Sequence, residues 1–226
     1  MFFQRRLASL LIFALLGTGS ASSGGCSAAR SRSVVYAAVG DSTGAGFGAG
    51  SGGYVERLFA KISRERPSSR LLNLSASGAG TEQVLRRQVG RAVEARPTLV
   101  TIGVGTNDLL RGVSEEQFAE NYDEVVSRLA ETDAVIVVTT LPDLSSTPAA
   151  ASLGRGDLPA RLDGFNRRIK MIAQRHRLLL VDVYALSREA LAAHPEYLAA
   201  DGIHPSDAGY EYWAEKLWPT VSRAIN

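Results

Sequence analysis

The sequence predicts one α/β domain over residues 34–226, a three-layer α/β/α sandwich around a doubly wound parallel sheet of about five strands. Two observations lead to this prediction. Short apolar runs recur along the chain, as they do in strands that are covered on both faces. Stretches with the 3.6-residue period of an amphipathic helix separate these runs. Regular alternation of the two kinds of segment is typical of this architecture.

The first half of the domain carries three predicted strands and one predicted helix. Val34–Val39 is apolar and β-branched and runs into Gly40, which favours a strand that ends in a turn. Tyr54–Arg64 has apolar residues at positions 55, 58, 59 and 62, which form one face of a helix. Two further apolar runs, Leu71–Leu74 and Leu99–Val104, are the next predicted strands.

The second half repeats the alternation. Glu115–Leu129 has apolar residues at 118, 122, 125, 126 and 129, and Ser114 directly before it is a favourable N-cap. Ala134–Thr139 is β-branched and is the fourth predicted strand. The rest of the domain is predicted as a helix, a strand and a helix, over Leu158–Ile172, Leu178–Val183 and Ala208–Val221.

The predicted topology brings a set of polar and small residues to one edge of the sheet. Ser42 follows the first strand, Gly78 the second and Asn107 the third, while Asp201 and His204 lie in a loop before the last helix. In open parallel sheets the functional site forms at the carboxyl ends of the strands. We therefore expect these residues to lie close together.

Ser42, His204 and Asp201 form a candidate catalytic triad. A serine hydroxyl is a poor nucleophile at neutral pH until an imidazole takes its proton, and a third group must orient that imidazole. Asp201 lies three residues before His204, so one turn of chain can hold both. The alternative is that Ser42 only caps the following helix.

Four sequence blocks occur in a fixed order: Gly40-Asp-Ser42, Asn73 to Gly78, Gly105-Thr-Asn-Asp108 and Asp201-Gly-Ile-His-Pro205. With them the chain resembles the SGNH (GDSL-type) hydrolase family, whose four blocks bring Ser, Gly, Asn and His to one site. The blocks span residues 40–205, nearly the whole domain. Their detail is similar to the branch of bacterial esterases, thioesterases and lysophospholipases. The fold that the resemblance implies is of the flavodoxin-like type.

The resemblance also implies an oxyanion hole. Its donors would be the backbone N–H groups of Ser42 and Gly78 and the side-chain amide of Asn107, which would stabilise the negative charge of a tetrahedral intermediate. The alternative for Asn107 is a turn residue. This chemistry needs no cofactor, and no His/Cys/Asp cluster of the sequence has the spacing of metal ligands.

Two other motifs point to different folds. Residues 40–44 also fit the G-x-S-x-G elbow of α/β-hydrolases, but that fold places several strands before the elbow and here the motif follows the first strand. Residues 48–53 fit the pattern G-x-G-x-x-G. In a dinucleotide-binding site this motif directly follows the strand, whereas here eight residues lie between Val39 and Gly48. We interpret residues 48–53 as a loop beside the active site, whose Gly and Ala residues leave room for an acyl group.

The composition excludes a nucleic-acid partner. Lys and Arg number 25 against 23 Asp and Glu, so the net charge is +2 and there is no basic footprint. The expected partner is a small-molecule, lipid or glycan ester, and the expected state is a monomer.

The N-terminal residues have the pattern of an export signal rather than of a fold. Arg5 and Arg6 precede the apolar segment 7–16, which is too short to span a bilayer, and small residues follow. Cys26 is the only cysteine, so an intramolecular disulfide is excluded. Its position after the apolar segment resembles a bacterial lipoprotein processing site; the alternative is ordinary cleavage after Ala21 or Ala29. We expect a leader over residues 1–26, a tether over 27–33, and a protein exported from a bacterial cytoplasm, either lipid-anchored at Cys26 or secreted.

The sequence therefore predicts a metal-independent serine esterase that acts on ester or thioester bonds through an acyl-Ser42 intermediate. A rival substrate is an O-acetyl group on a polysaccharide. The preference for acyl chain length would distinguish such a deacetylase from an esterase that acts on longer acyl groups. A second class of function is a non-catalytic binding module on the same fold.

Overall fold

A computed structural model describes residues 33–226 apart from residues 153 and 155, and every structural statement below concerns that part of the chain. The predicted leader with Cys26, and the tether up to residue 32, lie outside the described residues. Within them, no helix is both long and apolar enough to cross a membrane.

Five parallel strands form one sheet, which confirms the predicted fold class. Their spatial order is β2-β1-β3-β4-β5. All four neighbouring pairs are parallel, and in the β1/β3 pair Gly40 lies opposite Gly103. The strands are β1 (Val35–Gly40), β2 (Arg70–Asn73), β3 (Leu99–Gly103), β4 (Val135–Thr139) and β5 (Leu179–Val181).

The described residues also form helices between and after these strands. Two of the connections contain short 3₁₀ turns, Leu144–Ser146 and Pro195–Tyr197. The α-helices are α1 (Tyr54–Glu65), α2 (Thr81–Arg87), α3 (Val89–Glu94), α4 (Thr106–Arg111), α5 (Glu115–Ala130), α6 (Pro148–Ser152), α7 (Leu158–Arg175), α8 (Val183–Ala193) and α9 (Asp207–Ile225).

Helices cover both faces of the sheet. Along β1, Tyr36 and Ala38 face a core that they share with α1 and α9, while Ala37 and Val39 face a core built with α2, α3, α5 and α7. All four of these side chains are fully buried. Burial on both faces explains why the strands are apolar without alternation. Leaving a large apolar side chain in water instead of burying it costs a few kcal/mol, and this holds for either face of the sheet.

Helix α5 forms as its sequence pattern predicts. The Ser114 hydroxyl accepts a hydrogen bond from the Gln117 amide at 3.1 Å and so caps the helix. The five apolar positions of the predicted face are all fully buried: Phe118, Tyr122, Val125, Val126 and Leu129.

The structure corrects the end of the fifth predicted strand. The expected strand reached Val183, but β5 ends at Val181 and α8 begins at Val183. The physical reason is Asp182, whose carboxylate accepts from the Ala185 amide and caps the helix. The sequence prediction contained no helix in the place of α8. It also lacked the short helices α2, α3, α4 and α6, because segments of five to seven residues carry too few turns to display a period.

Candidate active site

The candidate functional residues lie in the connections at the carboxyl ends of the strands. Ser42 lies in the turn that leaves β1, and Asn107 lies in the first turn of α4, directly after β3. His204 belongs to the loop between the turn Pro195–Tyr197 and α9. An antiparallel bridge between Leu198 and Pro205 closes that loop.

Ser42, His204 and Asp201 are joined by hydrogen bonds. The His204 Nε2 atom lies 2.9 Å from Ser42 Oγ, and His204 Nδ1 lies 2.7 Å from Asp201 Oδ2. The other Asp201 oxygen, Oδ1, accepts from the backbone amides of Ile203 and His204, both at 3.0 Å. Asp201 therefore folds the loop and orients the imidazole at the same time.

The electrostatics favour a charged Asp201. Partial burial pulls its pKa upward, but hydrogen bonds from the His204 and Ile203 amides and from the His204 ring outweigh this and hold the pKa of the carboxyl below its ordinary value. An ionised Asp201 accepts from Nδ1–H of the ring. The Nε2 atom then carries a free lone pair that faces the Ser42 hydroxyl.

The turn that presents Ser42 is held from two sides. Asp41 accepts from the Thr43 amide at 3.0 Å and from the Thr43 hydroxyl at 2.9 Å, and so stabilises the turn. On the other side, the buried Gln88 side chain makes two hydrogen bonds to Gly40. It accepts from the Gly40 amide at 2.8 Å and donates to the Gly40 carbonyl at 2.9 Å. Both ends of the strand-to-loop junction are thus fixed.

Asp41 is buried in this turn, and its pKa is shifted. Burial raises the pKa of the carboxyl from 3.8 to about 6, against the opposing effect of the Thr43 hydrogen bonds. Its side chain bonds to Thr43 rather than to the imidazole.

The two other candidate donors, Gly78 and Asn107, are linked through Ala79. The Asn107 Nδ2 atom donates one hydrogen to the Ala79 carbonyl at 3.0 Å, which leaves its second hydrogen for a ligand. Gly78 has a φ of +79°, a left-handed conformation that glycine adopts without strain. Within the described part of the chain, the Ser42 and Gly78 amides donate to no protein acceptor.

Helix α4 clamps the segment that carries Gly78. Asp108 accepts from the Thr81 amide at 2.9 Å and from the Thr81 hydroxyl at 2.6 Å, and so caps α2. The Arg111 guanidinium donates to the Gly78 carbonyl at 2.6 Å. Asn107 adds the contact to Ala79 described above, so three side chains of one helix hold the Gly78 turn beside the site.

A largely apolar cavity of about 100 Å³ opens beside Ser42, Asn107 and His204. Residues 142–144 and 147, in the connection that follows β4, contribute to its wall. The wall is completed by α4, α8 and α9, and its apolar side chains include Leu110, Leu144, Ala190, Leu191, Tyr212 and Trp213.

The loop 48–53 lies beside the candidate site, as expected, but it does not line the cavity. It contributes no described residue to the cavity wall, so it does not make the room for an acyl group that the sequence suggested. Instead it packs against the base: a Cβ atom on Gly48 would come within 3.0 Å of the His204 Cβ atom. The amides of Gly50 and Ser51 donate to Asp207 at 2.9 and 3.0 Å.

Sequence reasoning missed several residues that support the site. Gln88, Thr81 and Arg111 act by holding the backbone around Ser42 and Gly78. Phe47 packs on the His204 ring. Their contacts join residues about 30 to 160 positions apart, so no local pattern could have identified them, although Arg111 lies only three residues after the third sequence block.

The chain has detectable relatives over most of its length. A model of the GDSL-like Lipase/Acylhydrolase family matches residues 38–212. Esterase TesA of Pseudomonas aeruginosa is 28% identical over 184 residues, which cover 81% of this chain and 85% of TesA. Spore germination lipase LipC of Bacillus licheniformis is 27% identical over 207 residues, which cover 80% of this chain and 93% of LipC.

The likeness extends to three dimensions. A crystal structure of TesA matches this fold with a TM-score of 0.71 and 27% sequence identity. The superposition covers 84% of this chain and 99% of that one.

Proposed function

This chain belongs to the GDSL-like lipase/acylhydrolase family, and we propose from that premise that it hydrolyses esters through an acyl-Ser42 intermediate. The family identifies it as a serine hydrolase acting on ester bonds. The observation that carries the proposed mechanism is the continuous hydrogen-bonded chain from Ser42 Oγ through the His204 ring to Asp201.

In the first half of the reaction, the Ser42 oxygen attacks the carbonyl carbon of the ester while its proton passes to His204 Nε2. The carbonyl electron pair moves onto oxygen, which accepts hydrogen bonds from the Ser42 and Gly78 amides and the Asn107 side chain. Asp201 stabilises the imidazolium that forms. The intermediate then collapses, and His204 gives the proton to the departing alcohol or thiol.

In the second half, a water molecule replaces the leaving group. His204 takes a proton from the water, the hydroxide adds to the acyl carbon, and the same three donors stabilise the second oxyanion. Collapse breaks the bond to Ser42, which recovers its proton from His204. The carboxylic acid is released and the free enzyme is restored.

The cavity supports an acyl group longer than acetyl. One water needs roughly 10–15 Å³ of such space, so about 100 Å³ accommodates roughly seven to ten groups of the size of a methylene. An acetyl methyl would leave most of an apolar cavity unfilled. We therefore favour an esterase for short to medium acyl chains over the rival polysaccharide O-acetyl esterase.

The test is hydrolysis of p-nitrophenyl esters from acetate to palmitate by residues 33–226, with Ser42→Ala as the control. We expect turnover to peak between butyrate and octanoate and to fall at least about 10³-fold in Ser42→Ala. A maximum at acetate would favour the O-acetyl esterase. Turnover that survives Ser42→Ala would contradict the mechanism, and no turnover on any ester would favour the non-catalytic binding module.

We also propose that the chain is exported and lipid-anchored at Cys26, on the basis of Arg5, Arg6 and the apolar segment 7–16. The test is expression of the full chain and of Cys26→Ser in a bacterium that is fed radioactive palmitate. Label on the full chain and none on Cys26→Ser is the expected result. Equal label on both, or an unlabelled chain processed after Ala21 or Ala29, would contradict the anchor.

A further inference from the structure

Phe47 is an exposed aromatic residue that contacts the candidate base. Half of Phe47 is exposed to solvent (51%), although large apolar side chains are usually withdrawn from water. Its ring centroid lies 4.6 Å from that of His204, at an interplanar angle of 53°. Burial alone does not explain this position, because much of the ring remains in water.

The backbone holds Phe47 against the imidazole. The Phe47 amide donates to the Ser42 carbonyl at 3.0 Å, and the hydroxyl of the buried Tyr210 donates to the Phe47 carbonyl at 2.8 Å. Gly46 and Gly48, on either side, have φ angles of +77° and +90°. The left-handed conformation of Gly48 lets the chain pass close to His204, where a Cβ atom would be crowded at 3.0 Å from the His204 Cβ atom.

A second anchor ties this loop to the segment that follows the base. Asp207, the first residue of α9, accepts from the Gly50 and Ser51 amides and pairs with Arg57 at 2.6 Å. His204 and Asp207 therefore lie in the same segment, and Asp207 holds the loop that contains Phe47. The two rings are held in contact from both sides.

The chemistry at His204 benefits from such a contact. The side chains of His204 and Asp201 are 21% and 35% exposed, so the pair lies near the surface. The imidazole must keep one nitrogen on Ser42 and the other on Asp201 through both halves of the reaction. An aromatic ring within about 6 Å also attracts the cation that forms when Ser42 gives up its proton.

We propose that Phe47 is a positioning residue for His204: its ring keeps the imidazole aligned with both Ser42 and Asp201 and stabilises the imidazolium. This inference rests on the proposed function, because it assigns a role in a reaction that His204 performs as base. Phe47 itself touches the base and not the reacting atoms.

The experiment compares Phe47→Ala, Phe47→Leu and Phe47→Tyr by steady-state kinetics on p-nitrophenyl butyrate. We expect kcat to fall about three- to thirtyfold in Phe47→Ala with KM little changed, since the contact acts on a charge that exists only during the reaction. Phe47→Tyr should restore kcat to within about twofold, because it keeps the ring, and Phe47→Leu should lie between. Met171→Ala, which removes another exposed apolar side chain outside the site, should leave kcat unchanged.

Proton NMR gives a second measurement that does not depend on turnover. The Nδ1–H proton of His204, bonded to Asp201, should give a low-field resonance in the wild type and in Phe47→Tyr that broadens or disappears in Phe47→Ala. Wild-type kcat together with an intact resonance in Phe47→Ala would overturn the proposal, as would a raised KM with unchanged kcat. If the wild type hydrolysed no ester, the proposed function would fail, while the resonance would still decide whether Phe47 orients His204.

Discussion

In the proposed mechanism, Asn107 is the residue at which transition-state stabilisation can be separated from proton transfer. One hydrogen of its amide is held by the Ala79 carbonyl, and the other has no part in the Ser42–His204–Asp201 chain. Asn107→Ala should lower kcat about 10²- to 10³-fold with little change in KM, because the donor acts on charge that develops only in the transition state. Steady-state kinetics on a p-nitrophenyl ester measure both constants. A raised KM with unchanged kcat would make Asn107 a substrate contact instead.

Asp41 gives the fold a pH dependence that can be measured. Its folded pKa of about 6 lies above the ordinary 3.8, so protonation stabilises the folded state. The contribution of protonated Asp41 to the free energy of unfolding is fully present below about pH 4 and is lost as pH rises to about 6. Asp41→Asn keeps the oxygen that Thr43 donates to but cannot ionise. As pH rises from about 4 to about 6, its free energy of unfolding should therefore increase by about 1–3 kcal/mol relative to that of the wild type.

Urea unfolding of both proteins at pH 4.5 and pH 7 measures this effect. The difference between variant and wild type isolates Asp41 from other carboxyls such as Asp201 and Asp182, whose lowered pKa values act in the opposite direction. The same free-energy difference at both pH values would show that Asp41 ionises normally in the folded state.

The proximity of Ser42, Asp201 and His204 could be predicted because the sequence places them at suggestive positions. Asp201 and His204 share one turn, and Ser42 follows a strand, so spacing and strand order bring all three to one edge. Gln88, Phe47 and Arg111 could not be found in this way. They act through contacts whose partners become neighbours only when the sheet has formed.

At the scale of elements, α8 forms part of the wall of the cavity in which we propose that the acyl chain binds. Ala190 is buried and faces the cavity, whereas Ala192 on the same helix is exposed. Ala190→Phe should fill much of the cavity and lower kcat/KM for octanoate at least about tenfold relative to acetate. Ala192→Phe is the matched control and should keep the wild-type profile across p-nitrophenyl esters.

Two results would contradict this assignment of the cavity. Equal chain-length profiles for Ala190→Phe and the wild type would place the acyl group outside it. A uniform loss on all esters, acetate included, would point to a general disturbance of the site, and thermal unfolding of Ala190→Phe would then show whether the helix itself is weakened.

Element prediction succeeded where the period was long enough. Helices α1, α5, α7 and α9 have 12 to 19 residues and display an apolar face in the sequence. The whole of α8 was missed: its first residue, Val183, continues an apolar run, and Asp182 acts as a cap only when its side chain accepts from Ala185. Helix α4 was missed because it spans six residues, although it carries Asn107, Asp108 and Arg111.

At the scale of the whole molecule, the strand order creates the site. Neighbouring strands β1 and β3 send their following helices to opposite faces: α1 joins the core around Tyr36, and α5 joins the core around Val100. A crevice opens between the diverging connections at such a switch point. Ser42 and Asn107 lie in these two connections, and the loop before α9 delivers His204 to the same crevice.

Covalent labelling of the nucleophile tests the central claim most directly. A fluorophosphonate reacts with an activated serine hydroxyl and leaves a stable phosphonyl ester, which mass spectrometry of proteolytic peptides locates. We predict one label per chain, on the peptide that contains Ser42, with none on Ser42→Ala and much slower labelling of His204→Ala. Label on a different serine, or undiminished labelling of Ser42→Ala, would contradict the account.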